Sequence, residues 1–161
     1  MRHTVIDSVL GPLTLVLDDD GALTGVYMAG HTPAPRPERL GPQVGPEGFE
    51  TVIDQLEEYL DGRRRTFELT TREVGTPFQR EVWAALRELP YGATTTYGAL
   101  ARHVGRPAAA RAVGAAVKRN PLSLVVPCHR VVGTDGTLTG YAGGLERKTF
   151  LLALERSTDC L

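Results

Sequence analysis

The sequence predicts an α+β fold, on three observations. Apolar and polar residues alternate through the first 28 positions. The period changes to that of a helix at Phe49, and it stays helical through most of the chain beyond Gly75. Thr4–Ser8, Leu13–Leu17 and Leu23–Met28 read as strands of a small antiparallel sheet, separated by Gly11-Pro12 and by Asp18-Asp19-Asp20-Gly21. Residues 30–48 hold a Pro/Gly cluster, including Pro33, Pro35, Pro37, Pro42 and Pro46, and are expected to be a loop without chemistry of their own. Phe49, Val52, Ile53, Leu56, Tyr59 and Leu60 then form one apolar helical stripe, read as core, with Gly62 at the stop position.

A second unit begins near Gly75, which divides the chain into 1–74 and 75–161. Thr76-Pro77-Phe78-Gln79 supplies a capping threonine, a proline at the first helical position and a glutamine at the capping-box position. Phe78, Val82, Trp83, Leu86 and Leu89 line one face of the helix beginning there, which is expected to end at Pro90-Tyr91-Gly92. Two short helices come next, Tyr97–Val104 closed by Gly105 and Pro107–Arg119 closed by Asn120-Pro121, in a helix-turn-helix pattern that helical hairpins of other kinds share. A last helix is expected over Leu145–Arg156, with Glu155 on one face and Phe150, Leu151 and Leu154 on the other.

Composition narrows the function class. With 161 residues of which 42% are hydrophobic, the chain can bury a core and is not disordered. No run approaches the roughly 18–20 apolar residues of a membrane span, and no signal-peptide pattern opens the chain. Two cysteines, Cys128 and Cys160, make no disulfide framework and read as free thiols, Cys160 on a frayed tail. A cytoplasmic protein is the expectation. The net charge of −1 conceals an asymmetry, −6 over residues 1–74 and +5 over 75–161. No acid occurs between Glu88 and Asp135, while Arg102, Arg106, Arg111, Lys118, Arg119 and Arg130 lie there. Such a segment suits nucleic acid, and equally a solvated arginine-rich face. The run Arg63-Arg64-Arg65 is read as answering a helix C-terminus, not as a nucleic-acid site.

The second short helix is unusual. Ala108, Ala109, Ala110, Ala112, Gly114, Ala115 and Ala116 leave Arg111 as the one long side chain of its first two turns. A helix that reads base edges in the major groove needs several long polar side chains. Small residues instead allow close approach to something narrow, such as a minor groove about 6 Å wide. Alanines are also simply good helix formers, but Gly114 costs about 1 kcal/mol mid-helix and marks close approach.

Beyond Asn120-Pro121 an apolar run, Leu122–Val126, leads into Pro127-Cys128-His129-Arg130-Val131. A thiol is thereby placed at the edge of a core, beside a histidine and an arginine, in surroundings expected to favour thiolate. This string, with the small-residue helix upstream, resembles the O6-alkylguanine-DNA alkyltransferases, most strongly over residues 75–156. The resemblance implies a ribonuclease H-like amino-terminal domain and a winged helix-turn-helix domain that carries the active site. It implies direct reversal of DNA damage: one irreversible transfer of a methyl or larger alkyl group from O6-alkylguanine, with O4-alkylthymine as a second candidate lesion, onto Cys128. His129 and Glu155 correspond to the partners that draw off the thiol proton through a water, and Asn120 to a hinge that orders the turn before the nucleophile. Tyr97 corresponds to the residue that meets the flipped guanine and its phosphate, Tyr141 and Ala142 to the wall of the base pocket, and Val131 to a main-chain acceptor for the guanine amine. Ala142 stands where some relatives have serine. Arg111 corresponds to a finger that replaces the extruded nucleotide, with Ala110, Gly114, Ala115, Lys118, Arg119 and Thr95 around it on the DNA.

The partner implied is damaged duplex DNA entered through the minor groove, with the protein associated with the nucleoid as a monomer or in cooperative assemblies. No cofactor is implied. Some relatives carry zinc near the amino terminus, but no cysteine precedes Cys128 here and His3, His31 and His103 lack ligand spacing. Two alternatives stand beside this reading: a DNA-damage-binding module without chemistry, and a thiol hydrolase using Cys128 and His129. Adjacent side chains in extended chain point apart, which disfavours the second.

Overall fold

The computed structural model describes residues 1–138 and 140–159, the last two of these by backbone alone; Cys160 lies outside the described residues. The amino-terminal strands are β1 (Arg2–Ile6), β2 (Leu13–Leu17) and β3 (Leu23–Met28), an antiparallel sheet with β2 in the centre. β1 starts and ends two residues earlier than the alternation suggests. Ser8 is withdrawn into a turn, where its hydroxyl accepts from the Leu10 N–H and donates to the Gly11 carbonyl. His3 compensates by pairing with the Pro-rich loop through its N–H to Pro42 and its carbonyl to Val44. Helix α1 (Glu50–Leu60) buries the predicted stripe, and Gly62, at a φ of 78°, turns the chain out of it. Arg63 and Arg64 pair locally with Asp61 and Glu58, while Arg65 lies over the Tyr91 ring.

Helix α2 (Pro77–Arg87) opens with the full capping box between Thr76 and Gln79. A two-residue strand β4 (Thr95–Thr96) leads into α3 (Tyr97–His103), whose first turn is capped by the Thr96 hydroxyl. Helix α4 (Ala110–Lys118) starts three residues later than predicted. Pro107 sits inside a turn closed by the Ala109 N–H on the Arg106 carbonyl, so Ala108 and Ala109 precede the helix. A 3-10 turn (Cys128–Arg130) continues into β5 (Val131–Val132), parallel to β4. The last helix, α5, spans Leu145–Asp159.

One hydrophobic core runs through both halves, from Leu13 and Leu15 of the sheet through Tyr59 to Trp83, Val113 and Leu151. The Trp83 indole donates to the Ala116 carbonyl at 2.8 Å, fixing α2 against α4. The exposed side of β3 is closed by backbone from the carboxy-terminal half, with the Val26 N–H on the Pro121 carbonyl at 2.8 Å. Arg147 of α5 reaches across to the Leu10 and Ala29 carbonyls. The segment that carries Cys128 is thus wedged between the sheet and the helices. Among the described residues no helix is long and apolar enough to cross a membrane.

Candidate active site

The Leu122–Val126 run is buried as expected, yet it is not a strand. Asn120 substitutes for a sheet partner. Its Oδ1 accepts the Leu122 N–H at 2.9 Å, and its Nδ2 donates to the Val126 carbonyl at 2.9 Å. The segment therefore arches over one buried amide side chain, with Leu124 at a φ of 74° at its crest. Pro127 then delivers Cys128 into the 3-10 turn, and the Cys128 N–H returns to the Val126 carbonyl.

Cys128 lies within the core, 4% exposed, not at its edge. Burial pushes its thiol up, and the Asn120 side chain, the Lys148 ammonium and the Tyr141 hydroxyl only partly counter this. The expectation of a standing thiolate is corrected. The basic neighbour that suggested it, Arg130, has its charge taken up elsewhere.

It is taken up by Glu155, which is 1% exposed. Arg130 donates from Nε to Oε1 at 2.9 Å and from Nη2 to Oε2 at 3.0 Å. The Gly92 N–H adds a bond to Oε1 at 3.1 Å. His129 Nε2 reaches Oε2 at 2.7 Å, and the Tyr59 hydroxyl donates to the same oxygen at 2.5 Å. Burial alone would raise the Glu155 carboxyl, but the bonds from His129, Arg130 and Tyr59 outweigh it and hold the group well below the usual carboxylate range. Burial keeps His129 low as well, hence neutral, with Glu155 opposing. A neutral imidazole that donates from Nε2 leaves Nδ1 as an acceptor, and Nδ1 is buried without a protein partner.

Sequence reading misses three residues of this cluster. It assigns Tyr59 to core packing, Arg130 only to local charge, and Lys148 not at all, although Lys148 is fully buried and donates to the Gly140 carbonyl at 3.2 Å. The assignment of helix faces in α5 also needs correction. Leu151 shares the buried face with Lys148 and Glu155, one turn on either side, while Phe150 is 37% exposed. The signal available is the spacing of three and four between 148, 151–152 and 155, which the charged side chains mask.

The remaining predicted residues fall into two groups. On α4, Arg111, Ala115 and Lys118 are exposed, Ala110 and Gly114 are half-buried, and Val113, Ala116 and Val117 face the core; Arg119, just beyond the helix, is exposed. A Cβ on Gly114 would meet only the Tyr97 ring, at an ordinary 3.5 Å, so packing inside the protein does not demand glycine there. The second group lies on β5, at the start of α3 and in the 140–142 segment. Tyr97, half-buried, points its hydroxyl at the Gly140 carbonyl at 3.5 Å, beside Lys118. Tyr141 and Ala142 are buried, with the Tyr141 hydroxyl against Cys128. Val131 is buried in β5, in register with half-buried Thr95 of β4. Tyr97 therefore stands between Gly114 of α4 and the Gly140 carbonyl, which Lys148 also reaches. Among the described residues no group of three His, Cys, Asp or Glu side chains is placed to hold a metal ion.

Comparison with known proteins matches both halves. Residues 77–157 match the 6-O-methylguanine DNA methyltransferase DNA binding domain, and residues 1–72 the ribonuclease-like domain of the same family. The methylated-DNA–protein-cysteine methyltransferase of Methanosarcina acetivorans is 43% identical over 157 residues, covering 98% of this chain and 99% of that one. Its counterpart in Mycolicibacterium paratuberculosis is 46% identical over 156 residues, covering 97% and 93%. The crystal structure of Mycobacterium tuberculosis OGT in complex with DNA superposes with a TM-score of 0.88 at 42% identity, covering 98% of this chain and 94% of that one. With both halves of the chain matched and a relative 43% identical over nearly its whole length, the protein belongs to the 6-O-methylguanine DNA methyltransferase family.

Proposed function

We propose that the protein repairs DNA by taking one alkyl group from the O6 atom of guanine onto Cys128, once and irreversibly. The observation that carries this is the state of His129: Nε2 is committed to a buried carboxylate, and Nδ1 is free as a base one residue from a buried thiol. The small-residue face of α4 enters the minor groove, where Gly114 and Ala115 permit close approach and Lys118 and Arg119 meet phosphate. An alkyl carbon inside a stacked duplex is out of reach of a buried sulfur, so the base is everted, at a cost of a few kcal/mol. Arg111, exposed in the first turn of α4, fills the gap it leaves.

In the pocket, Tyr141, Ala142 and the Val131 carbonyl surround the guanine. Asn120 holds the arch that presents the sulfur. The S–C bond forms as the C–O6 bond breaks, the thiol proton passes to His129 Nδ1 through a water, and Tyr97 donates to the leaving guanine on its N3 side. Solvent returns the proton from the imidazolium to Tyr97, so charge balances. The product is a thioether, and no group in the site can hydrolyse it. The protein works in the cytoplasm, with the nucleoid, one monomer per lesion.

Mass spectrometry after mixing with a duplex containing O6-methylguanine tests this. One methyl on Cys128 per molecule, absent in Cys128→Ala although duplex binding persists, is the expected result. Binding without a mass shift would make it a damage-binding module; turnover of a thiol-reactive ester would make it a hydrolase.

A further inference from the structure

Of the groups around Glu155, all but one come from residues 92–155. The exception is Tyr59, on α1 of the amino-terminal half. Its ring is fully buried between Phe67, with centroids 5.3 Å apart, and the edge-on Tyr91 at 6.2 Å. Packing of that kind would be served equally by phenylalanine. The hydroxyl does more: it lies 2.5 Å from Glu155 Oε2 and 3.3 Å from His129 Nε2. A carboxylate can only accept, so the Tyr59 proton points at Glu155 and its oxygen lone pairs are turned to the imidazole. His129 Nε2 then faces two oxygens, neither of which offers it a proton, and must carry the hydrogen itself. The ring's one acceptor is Nδ1, the nitrogen that is buried with no protein partner.

We infer that Tyr59 is a positioning residue of the proton relay, by which the amino-terminal domain reinforces the His129 tautomer that Glu155 sets and limits how strongly Glu155 attracts the imidazole proton. The inference rests on the alkyl transfer proposed above. Glu155 Oε2 is shared by three donors: Tyr59, His129 and Arg130 Nη2. With the first removed, more negative charge falls on the other two, and the imidazolium is favoured over the imidazole. The other ionisable groups about His129 are Cys128 and Arg130 of its own turn, Lys148 of α5, and Tyr91 behind Tyr59. Arg130 and Lys148 oppose the imidazolium, and Tyr59→Phe leaves both in place.

The test is single-turnover transfer from an O6-methylguanine duplex to Cys128, followed from about pH 5 to about pH 9 in the full chain and in Tyr59→Phe. The acid limb should move up by about one pH unit, the equivalent of one charge-assisted hydrogen bond. The variant is then roughly tenfold slower below the limb and within about twofold of the parent above it. A profile of unchanged shape, at any overall rate, overturns the inference. A second readout needs no DNA: nitrogen NMR of labelled histidine in the free protein should show His129 protonated at Nε2, and its titration moved up in Tyr59→Phe. The opposite tautomer, or an unmoved titration, refutes Tyr59's role whether or not transfer occurs; absence of transfer in the parent refutes the proposed function alone. If Tyr59→Phe does not fold, 3-fluorotyrosine placed at position 59 keeps the ring, donates more strongly and should move the limb down. No movement there also overturns the inference.

Discussion

Replacing Glu155 by Gln should be among the most costly isosteric changes in the chain, and the structure says how costly. The side chain keeps its shape, so no cavity opens. The change is that five hydrogen bonds now converge on an amide: those from Gly92, Tyr59 and His129, and two from Arg130. With the amide nitrogen at the Oε2 position, three donors face a donor; with it at the Oε1 position, two do. Arg130, 6% exposed, is left as a buried cation without its counter-charge. Removing one partner of a buried pair costs about 3–5 kcal/mol. Arg130 keeps its bond to the Leu89 carbonyl and its seat over the Tyr91 ring, which favours the lower end. At about 2–4 °C per kcal/mol for a chain of this size, the melting temperature should fall by about 6–20 °C.

The sign with pH follows from linkage. The Glu155 carboxyl is held below its ordinary 4.5, so its contribution is complete above that value and is lost as pH falls toward the lower folded value. The gap between parent and variant should therefore be constant near neutrality and narrow below about pH 4.5. Thermal unfolding of both proteins from pH 7 to pH 3 measures it. Agreement within about 1 kcal/mol at pH 7, or a gap that persists undiminished in acid, would show that Glu155 is not a buried anion bound by these donors.

Arg111→Ala should slow repair of duplex DNA at least about tenfold while reaction with an O6-alkylated free base is nearly unchanged, because only the duplex needs its gap filled. Equal losses would remove the eversion role, and the salt slope of duplex binding should drop by about one. Lys148→Met should raise the Cys128 thiol further, since the ammonium is one of the groups that lowers it; titration with a small alkylating reagent reads this, and an unchanged curve excludes the contact. Burial pulls Lys148 itself down to about 8, so in the parent this support should weaken as pH passes that value.

The features legible in the sequence are those that local chemistry decides. The capping box at Thr76, the turn at Asp18-Gly21 and the stripe of α1 depend on neighbours a few residues away, and each lies where expected. The Pro-Cys-His-Arg string locates the thiol for the same reason. The bounds of β1 and the start of α4 shift through local turns at Ser8 and Pro107, but the chemical roles that sequence reading misses are questions of long-range partnership. Tyr59 looks like any core tyrosine until an acid 96 positions away meets its hydroxyl. Leu122–Val126 is buried as its composition suggests, and its arch follows from two short-range bonds of Asn120. Glu155 looks like a surface residue because the donors that make its burial tolerable lie on the segment 91–130 and on α1, not on α5.

The same distance in sequence explains the one chemical expectation that reversed. A segment without acids from 89 to 134 should stabilise a thiolate, if its charges acted on the sulfur. Arg130 does not, because its guanidinium faces Glu155, the nearest acid in space and one that lies beyond the segment. With that cation neutralised, desolvation governs Cys128 and its resting form is the thiol. In the proposed reaction ionisation then accompanies the arrival of substrate, and the imidazole at the next position, with one nitrogen tied down and the other free, takes the proton. A buried, protonated sulfur reacts slowly with soluble electrophiles, whereas in the proposed reaction an everted base delivers its alkyl carbon to van der Waals contact. For a nucleophile that, on the proposed reading, is used only once, suppressing the first reaction matters as much as accelerating the second: burial with a displaced counter-charge serves the former, and the His129 base the latter.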